Sequence, residues 1–232
     1  MSWLETALLE CTLTEDVLGY LYGRGARDST IIGEGIVTWK PMITKSPDDD
    51  FRKWCGDYGE RMEGFLVCPV RSPKGLLIGF EARSIKQKRI MDFRLPESKW
   101  NPFWLGLRTG MSKIWNGGNV WIVEGLFDKC ALEWAVPETD VVLASVRAHL
   151  SKEHVEFLRR YCQQARIFMV YDNDPTGRRA THGYINDDGK RISGALERLQ
   201  RVGLNAVEVR YSAKDPGVVW DMGGAKAVKS VF

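Results

Sequence analysis

Val120-Trp-Ile-Val-Glu124-Gly-Leu-Phe-Asp128 and Ile167-Phe-Met-Val-Tyr171-Asp172-Asn-Asp174-Pro-Thr-Gly177 each join a short apolar run to a turn that carries two carboxylates. A run of four or five apolar residues closed by a Gly- or Pro-marked turn reads as a strand buried on both faces. The rhythm repeats along the chain. Apolar runs at 120–123, 141–145, 167–171 and 206–209 alternate with stretches at 126–135, 151–162 and 193–202 whose apolar residues lie three or four apart. This alternation predicts a parallel sheet covered by helices, an α/β fold whose chemistry sits beyond the carboxyl ends of the strands.

Upstream of Gly117-Gly118 the pattern changes, and residues 1–116 read as a mixed α+β subdomain preceding a sheet subdomain at 117–232. Residues 4–10 and 14–22 have helical spacing, with Thr14 placed as an N-cap. Residues 64–70 and 76–83 read as strands joined by Ser72-Pro73-Lys74-Gly75, a hairpin signal. Residues 41–59, with Pro47 and Asp48-Asp49-Asp50, read as a solvated loop.

Of the 232 residues, 44% are hydrophobic and 27% charged, enough to bury a core and too apolar for a largely disordered chain. The net charge of +3 excludes a uniformly basic DNA-coating protein. The charge is uneven, however. Residues 71–115 hold ten basic side chains against three acidic ones, a local balance of +7, interleaved with Phe93, Trp100, Phe103, Trp104 and Trp115. Basic plus aromatic is the composition of a single-strand-binding surface, and equally that of a charged face whose aromatics turn into the core. No run reaches the roughly 18–20 apolar residues of a membrane span, and no signal peptide is evident, so a cytoplasmic protein with no membrane partner is expected. The five cysteines include no CxxC pair and read as reduced, mostly buried thiols.

Three acidic clusters fall at strand ends: Glu124 with Asp128, Asp172 with Asp174, and Lys214-Asp215-Pro216. Two aspartates at i and i+2 on a turn can face one hard cation, and a carboxylate from another strand end extends the oxygen cage. His149, His154 and His182 have no ligand spacing, which argues against zinc; His154 reads as a surface residue in the first turn of a helix. Each aspartate alone is more often only a helix cap or turn former, and it is three clusters at three strand ends that point to a site. Crowded carboxylates need neutralising cations, and such a site suits attack at phosphorus. Arg178 and Arg179 are candidates to hold a phosphate at a helix start, or ordinary surface charge.

In order, Glu124-Gly-Leu-Phe-Asp128, Asp172-Asn-Asp174-Pro-Thr-Gly177 and Lys214-Asp215-Pro resemble the Toprim domain shared by DnaG-type primases, topoisomerases and some nucleases. The segment Gly64-Phe-Leu-Val-Cys-Pro-Val-Arg71-Ser-Pro-Lys-Gly75-Leu-Leu-Ile-Gly79-Phe-Glu-Ala-Arg83 is similar to the primase stretch before that domain, as is Arg94-Leu-Pro-Glu-Ser-Lys99. The resemblance covers about residues 10–222 and implies a bacterial or phage primase core with a Rossmann-like Toprim sheet. Carried over by position, Glu124 is implied as the general acid/base or metal-associated group, and Asp172 and Asp174 as the metal-binding pair. Asp128 and Asp215 are implied as further acidic positions around Mg2+ or Mn2+. Arg83 and Lys99 are implied contacts to template or nucleotide phosphates, with Arg71, Arg89 and Arg94 in the same basic wall.

The implied partners are a single-stranded DNA template and ribonucleoside triphosphates, and the implied reaction is metal-dependent nucleotidyl transfer that makes short RNA primers. For the zinc-binding and helicase-contacting regions, which the family carries outside this core, two expectations stand: they reside on other polypeptides, a replicative helicase or a separate zinc-binding protein being the candidate partners, or the chain is a trimmed core or a phage-type minimal version. Gly217 stands where many primases have a further acidic residue. Two other readings remain at this point: a Toprim-type metal-dependent nuclease and a non-catalytic nucleic-acid-binding module.

Overall fold

The computed structural model describes residues 3–40, 62–95 and 102–232, together with Asp49, Lys53 and Ser98. Lys99, Trp100, Cys55 and nearly all of the loop expected at 41–59 lie outside the described residues. Three short helices, α1 (Trp3–Leu9), α2 (Glu15–Gly23) and α3 (Asp28–Glu34), lead into an antiparallel sheet. Its strands are β1 (Val37–Thr38), β2 (Leu66–Arg71), β3 (Leu77–Arg83) and β4 (Ile90–Arg94), in that spatial order. The expected β2–β3 hairpin is present, closed by Gly75 N donating to Ser72 O at 2.8 Å, with Gly75 at φ +80°. Pro69 is tolerated inside β2 because β1 pairs only with Leu66 and Val67, so beyond them that edge asks for no donor.

The second half begins with α4 (Leu107–Trp115) and then alternates strand and helix. It runs β5 (Val120–Val123), α5 (Leu126–Leu132), β6 (Val141–Ala144), α6 (Lys152–Tyr161), β7 (Arg166–Met169) and α7 (Pro175–His182). A small hairpin of β8 (Gly183–Ile185) and β9 (Arg191–Ser193) follows, then α8 (Ala195–Arg201), β10 (Asn205–Glu208) and α9 (Pro216–Val231). The sheet order is β10-β7-β5-β6, and all three pairings are parallel, as the alternation predicts.

Period-two alternation decides which residue meets which layer. Val141 and Leu143 of β6 join Val120, Ile122, Ile167 and Met169 against α4, α6 and α8. Val142 and Ala144 face the other way, into a core shared by Phe127, Cys130, Leu66, Cys68, Val70 and Leu21. The antiparallel sheet therefore packs on the parallel one through α5 and the strand ends, and the apolar core continues across residue 117. Leu105 strengthens the join by exchanging two 3.0 Å backbone hydrogen bonds with Ala144.

Beneath this join lies a buried charge network. The Lys129 ammonium, 1% exposed, sits 2.5 Å from Glu133 Oε1. Thr30 donates to Glu133 Oε2 at 2.6 Å, and the Thr109 hydroxyl donates to the buried Glu34. Burial works to lower the Lys129 pKa, but Glu133 and Glu34 outweigh it and hold the ammonium charged. Thr30–Glu133 ties α3 to α5 and Thr109–Glu34 ties α4 to α3, with the Lys129 ammonium offsetting the two carboxylates.

Of the described aromatics of the basic segment, all but Trp115 take the core alternative. Phe93, Phe103 and Trp104 are buried, and Trp115 is exposed alone at the end of α4. His154 is a correction to the sequence reading: it is buried, not on the surface. Its Nδ1 accepts from Ser151 N at 3.0 Å while Ser151 Oγ accepts from His154 N, a reciprocal cap, and its ring lies 4.3 Å from Trp104. Burial pushes its pKa down to about 4, so it packs as a neutral ring. Thr14 occupies the N-cap position of α2, but its hydroxyl meets Thr38 at 3.3 Å instead of a helix N–H. Cys11, Cys68, Cys130 and Cys162 are free and buried.

Candidate metal centre

Each strand end supplies its carboxylate for a local reason. Gly125, extended after β5, starts α5 and puts Asp128 one turn in, on the same side as Glu124. After β7 the chain turns so tightly that a Cβ on Gly177 would stand 2.0 Å from Asp172 O, so only glycine fits. After β10, Asp215 caps α9, its Oδ1 accepting from Val218 N at 2.7 Å.

Three of these carboxylates converge. Asp128, Asp172 and Asp215 each offer an oxygen within 4.8 Å of the others. Glu124 adjoins them, its Oε1 accepting from Asp172 N at 3.2 Å. Asp128 Oδ1 also accepts from Gly217 N at 3.2 Å, which pins α9 to α5. Asp174, paired with Asp172 in the sequence reading, stands outside the triad. Its Oδ1 caps α7 by accepting from Thr176 N and Gly177 N, both at 2.9 Å, and its Oδ2 faces the Lys214 ammonium at 3.9 Å.

The electrostatics record the crowding. Burial, and then the Asp172 charge, push the Glu124 pKa up to about 7. Burial, then Asp215 and Asp172, raise Asp128 to about 7. Asp172 is raised by burial and Asp215. An all-carboxylate donor set lacking His and Cys suits a hard, oxygen-seeking divalent cation, and the half-buried triad fits one.

Basic groups approach from the first half of the chain. The Arg83 guanidinium lies 4.5 Å from the Phe127 ring centre, 3.7 Å from the buried Glu81 carboxylate, and acts to lower the Asp128 pKa. Arg24, which the sequence reading missed, lies over the same ring at 5.2 Å and pairs with Asp221 at 2.7 Å. A Cβ on Gly217 would meet Arg24 Nη2 at 3.1 Å, so a guanidinium approaches where many primases carry another acid. No local signal marks Arg24, because a helix far upstream delivers it.

The other basic candidates are dispersed. Arg71 sits at the opposite end of the β2–β3 ladder from Arg83, in a 2.5 Å pair with Glu5. Arg89 is half-buried in the turn before β4, next to Ile90, which pairs with Arg83. Arg94 lies over Phe103 at 4.8 Å and lines a cleft of about 320 Å3 with Arg147, His149 and Ser145. Val146, at φ +66°, sits at the edge of that cleft, a strained conformation for a β-branched residue. Arg178 bonds Asn173 Oδ1 at 3.0 Å, and Arg179 lies near the Tyr184 ring.

Residues 121–215 match a family described as Toprim-like. They form a Toprim-like domain. Curated relatives of the chain are bacterial DNA primases. That of Deinococcus radiodurans is 25% identical over 225 residues, covering 86% of this chain and 36% of the relative. That of Synechococcus elongatus is 27% identical over 133 residues, covering 56% and 19%. The chain thus spans about a third or less of these relatives' length. Among solved structures, the zinc-binding and RNA polymerase domains of the Aquifex aeolicus primase superpose with a TM-score of 0.68 at 18% identity, over 99% of this chain and 60% of that one. A DnaG catalytic core gives 0.67 at 16% identity, over 99% and 79%. At these identities the likeness establishes the fold. No helix among the described residues is long and apolar enough to cross a membrane.

The Toprim-like domain should show its crowding in a pH titration of stability. Folded pKa values of about 7 for Glu124 and Asp128 stand above ordinary carboxylate values, so the folded state holds protons that the unfolded state releases. Stability from these groups is fully present below the unfolded pKa and is lost as pH rises through about 7. In EDTA the melting temperature is expected to fall between pH 5.5 and 8, with millimolar Mg2+ restoring it at pH 8. A flat or rising profile in EDTA would contradict the clustering.

Proposed function

We propose that the chain is the catalytic core of a DNA primase, a DNA-directed RNA polymerase of the nucleotidyltransferase class that makes short RNA primers on single-stranded DNA. The observation that carries this reading is the convergence of Asp128, Asp172 and Asp215 from three strand ends, with Glu124 beside them and Arg83 reaching across from the antiparallel sheet. In this reading residues 1–116 form the basic subdomain and 117–232 the Toprim subdomain. Asp128, Asp172 and Asp215 hold Mg2+ or Mn2+, with Asp174 at the rim. When bound there, such an ion would supply positive charge to offset the negative charge that develops at the reacting phosphate.

The chain's own groups do the rest. Glu124, held beside the triad by accepting from Asp172 N, is placed to take the proton from a nucleotide 3′-hydroxyl as it attacks the next α-phosphate, with pyrophosphate leaving. Arg83, with Arg89, Arg94 and Lys99, supplies positive charge to template and nucleotide phosphates, while Arg71, tied to Glu5, contributes least. Solved relatives include a DnaG catalytic domain bound to ssDNA and the primase fragment of the bacteriophage T7 primase-helicase protein. Template DNA, a zinc-binding module and a replicative helicase are accordingly proposed as partners here, in a cytoplasmic setting.

The test is incubation with single-stranded oligonucleotides and labelled ribonucleoside triphosphates, comparing wild type with Glu124→Gln and Arg83→Ala. Templated RNA products that Glu124→Gln abolishes, with DNA binding retained, support the reading. Arg83→Ala is expected to weaken template binding about tenfold and flatten its salt dependence. Template shortening would favour a nuclease. Unaltered behaviour of both variants would leave a binding module.

A further inference from the structure

We propose that Lys214 is the centre's built-in counter-cation: its ammonium takes a cation's place among the carboxylates when no metal is bound and is exchanged for the divalent ion on loading. The inference rests on the metal-centre reading above and adds a competitor to it. Lys214 Nζ lies 3.4 Å from Asp172 Oδ2, 3.4 Å from Asp215 Oδ2 and 3.9 Å from Asp174 Oδ2. Two of these carboxylates belong to the triad. The ammonium and the divalent ion thus draw on the same carboxylates.

The backbone and side chain of Lys214 are held very differently. Its carbonyl accepts from Asn173 N at 2.6 Å, which ties this position to the loop after β7 and keeps the side chain's root beside Asp172. The side chain itself is 54% exposed and can withdraw into water without unpacking anything. Its contacts at 3.4–3.9 Å are longer than the roughly 2.7–2.9 Å of a good charge-assisted hydrogen bond. The field of the cluster, more than any single bond, holds the ammonium there. A divalent ion carries twice the charge of the ammonium and, bound directly to the same oxygens, would displace it. The lysine therefore does two things: it offsets repulsion in the metal-free protein, and it lowers metal affinity by the cost of its own displacement.

The experiment measures Mn2+ binding by calorimetry or electron paramagnetic resonance, and melting temperature in EDTA, for wild type, Lys214→Met, Lys214→Arg and Asp172→Asn. Lys214→Met is expected to bind Mn2+ about fivefold more tightly, the scale of a few partly exposed ion pairs, and to melt lower in EDTA. Lys214→Arg, which keeps the charge, is expected to stay near wild type in both. Unchanged or weaker binding in Lys214→Met, or an unchanged EDTA melting temperature, overturns the counter-cation role while leaving the metal centre standing. No saturable Mn2+ binding in wild type, or binding equal in wild type and Asp172→Asn, overturns the metal-centre reading itself and this inference with it.

Discussion

Asp172→Asn is expected to lower primer synthesis by about 10^3-fold or more, roughly 4 kcal/mol of barrier, the scale of losing a correctly held divalent ion at a phosphoryl centre. The same substitution is expected to raise the melting temperature in EDTA at pH 8. Asp172 adjoins Asp215, Asp128 and Glu124, and its charge helps push the Asp128 and Glu124 pKa values up. Removing that charge relieves repulsion that only a cation otherwise offsets, so activity and metal-free stability should move in opposite directions, as at sites kept for function. The Mg2+-dependent rise in melting temperature expected of wild type should be absent from this variant. Activity within tenfold of wild type, or a fall in metal-free stability, would place the reactive centre elsewhere.

The second large effect concerns folding. Lys129→Ala is expected to destabilise the protein by about 3–5 kcal/mol in urea unfolding, because it leaves the buried Glu34 and the half-buried Glu133 without their cation. Glu133 and Glu34 would remain, held by Thr30 and Thr109, at the seam where α3, α4 and α5 meet. Pairing Lys129→Met with Glu133→Gln should recover much of the loss, since the cost arises from the unpaired charge and not from the missing volume. A loss below about 1 kcal/mol for Lys129→Ala would mean the network is solvated in the folded protein. Neither change touches the acidic triad, so Mn2+ affinity of the folded fraction should stay at the wild-type value.

The amino-acid sequence by itself determined the parallel sheet and its site-bearing turns. Four short apolar runs with amphipathic stretches between them have few physical solutions, because a strand buried on both faces must be covered by the helices that connect it to its neighbours. Gly75 and the Ser72-Pro73 turn likewise fix the hairpin, since positive φ and a preset proline act within four residues. Period-two alternation in Val141-Val-Leu-Ala already contained the division between the two core layers.

Only the tertiary structure decided which acids meet. Asp174 lies two residues from Asp172 yet stands outside the triad, whereas Asp128 and Asp215, 44 and 43 residues away, complete it, although Asp174 and Asp215 both cap a helix. Asp215 does both, capping α9 through Oδ1 while offering an oxygen to the triad, so the local signature of a cap does not say which aspartate faces its neighbours. His154 looked exposed by its place in a first turn, but the Phe103 carbonyl and the Trp104 ring arrive from a segment 50 residues earlier and bury it. Arg71 and Arg83 share one basic segment, and a hairpin carries them to opposite ends of its ladder. Arg24 and Lys214 reach the centre only because α2 packs on α9 and the chain beyond β10 folds back over the turn after β7. Spacing rules work over a few residues, while charge clusters are assembled by crossovers tens of residues long, so the turns and the expectation that their acids converge could be read from the chain, and which of those acids meet could not.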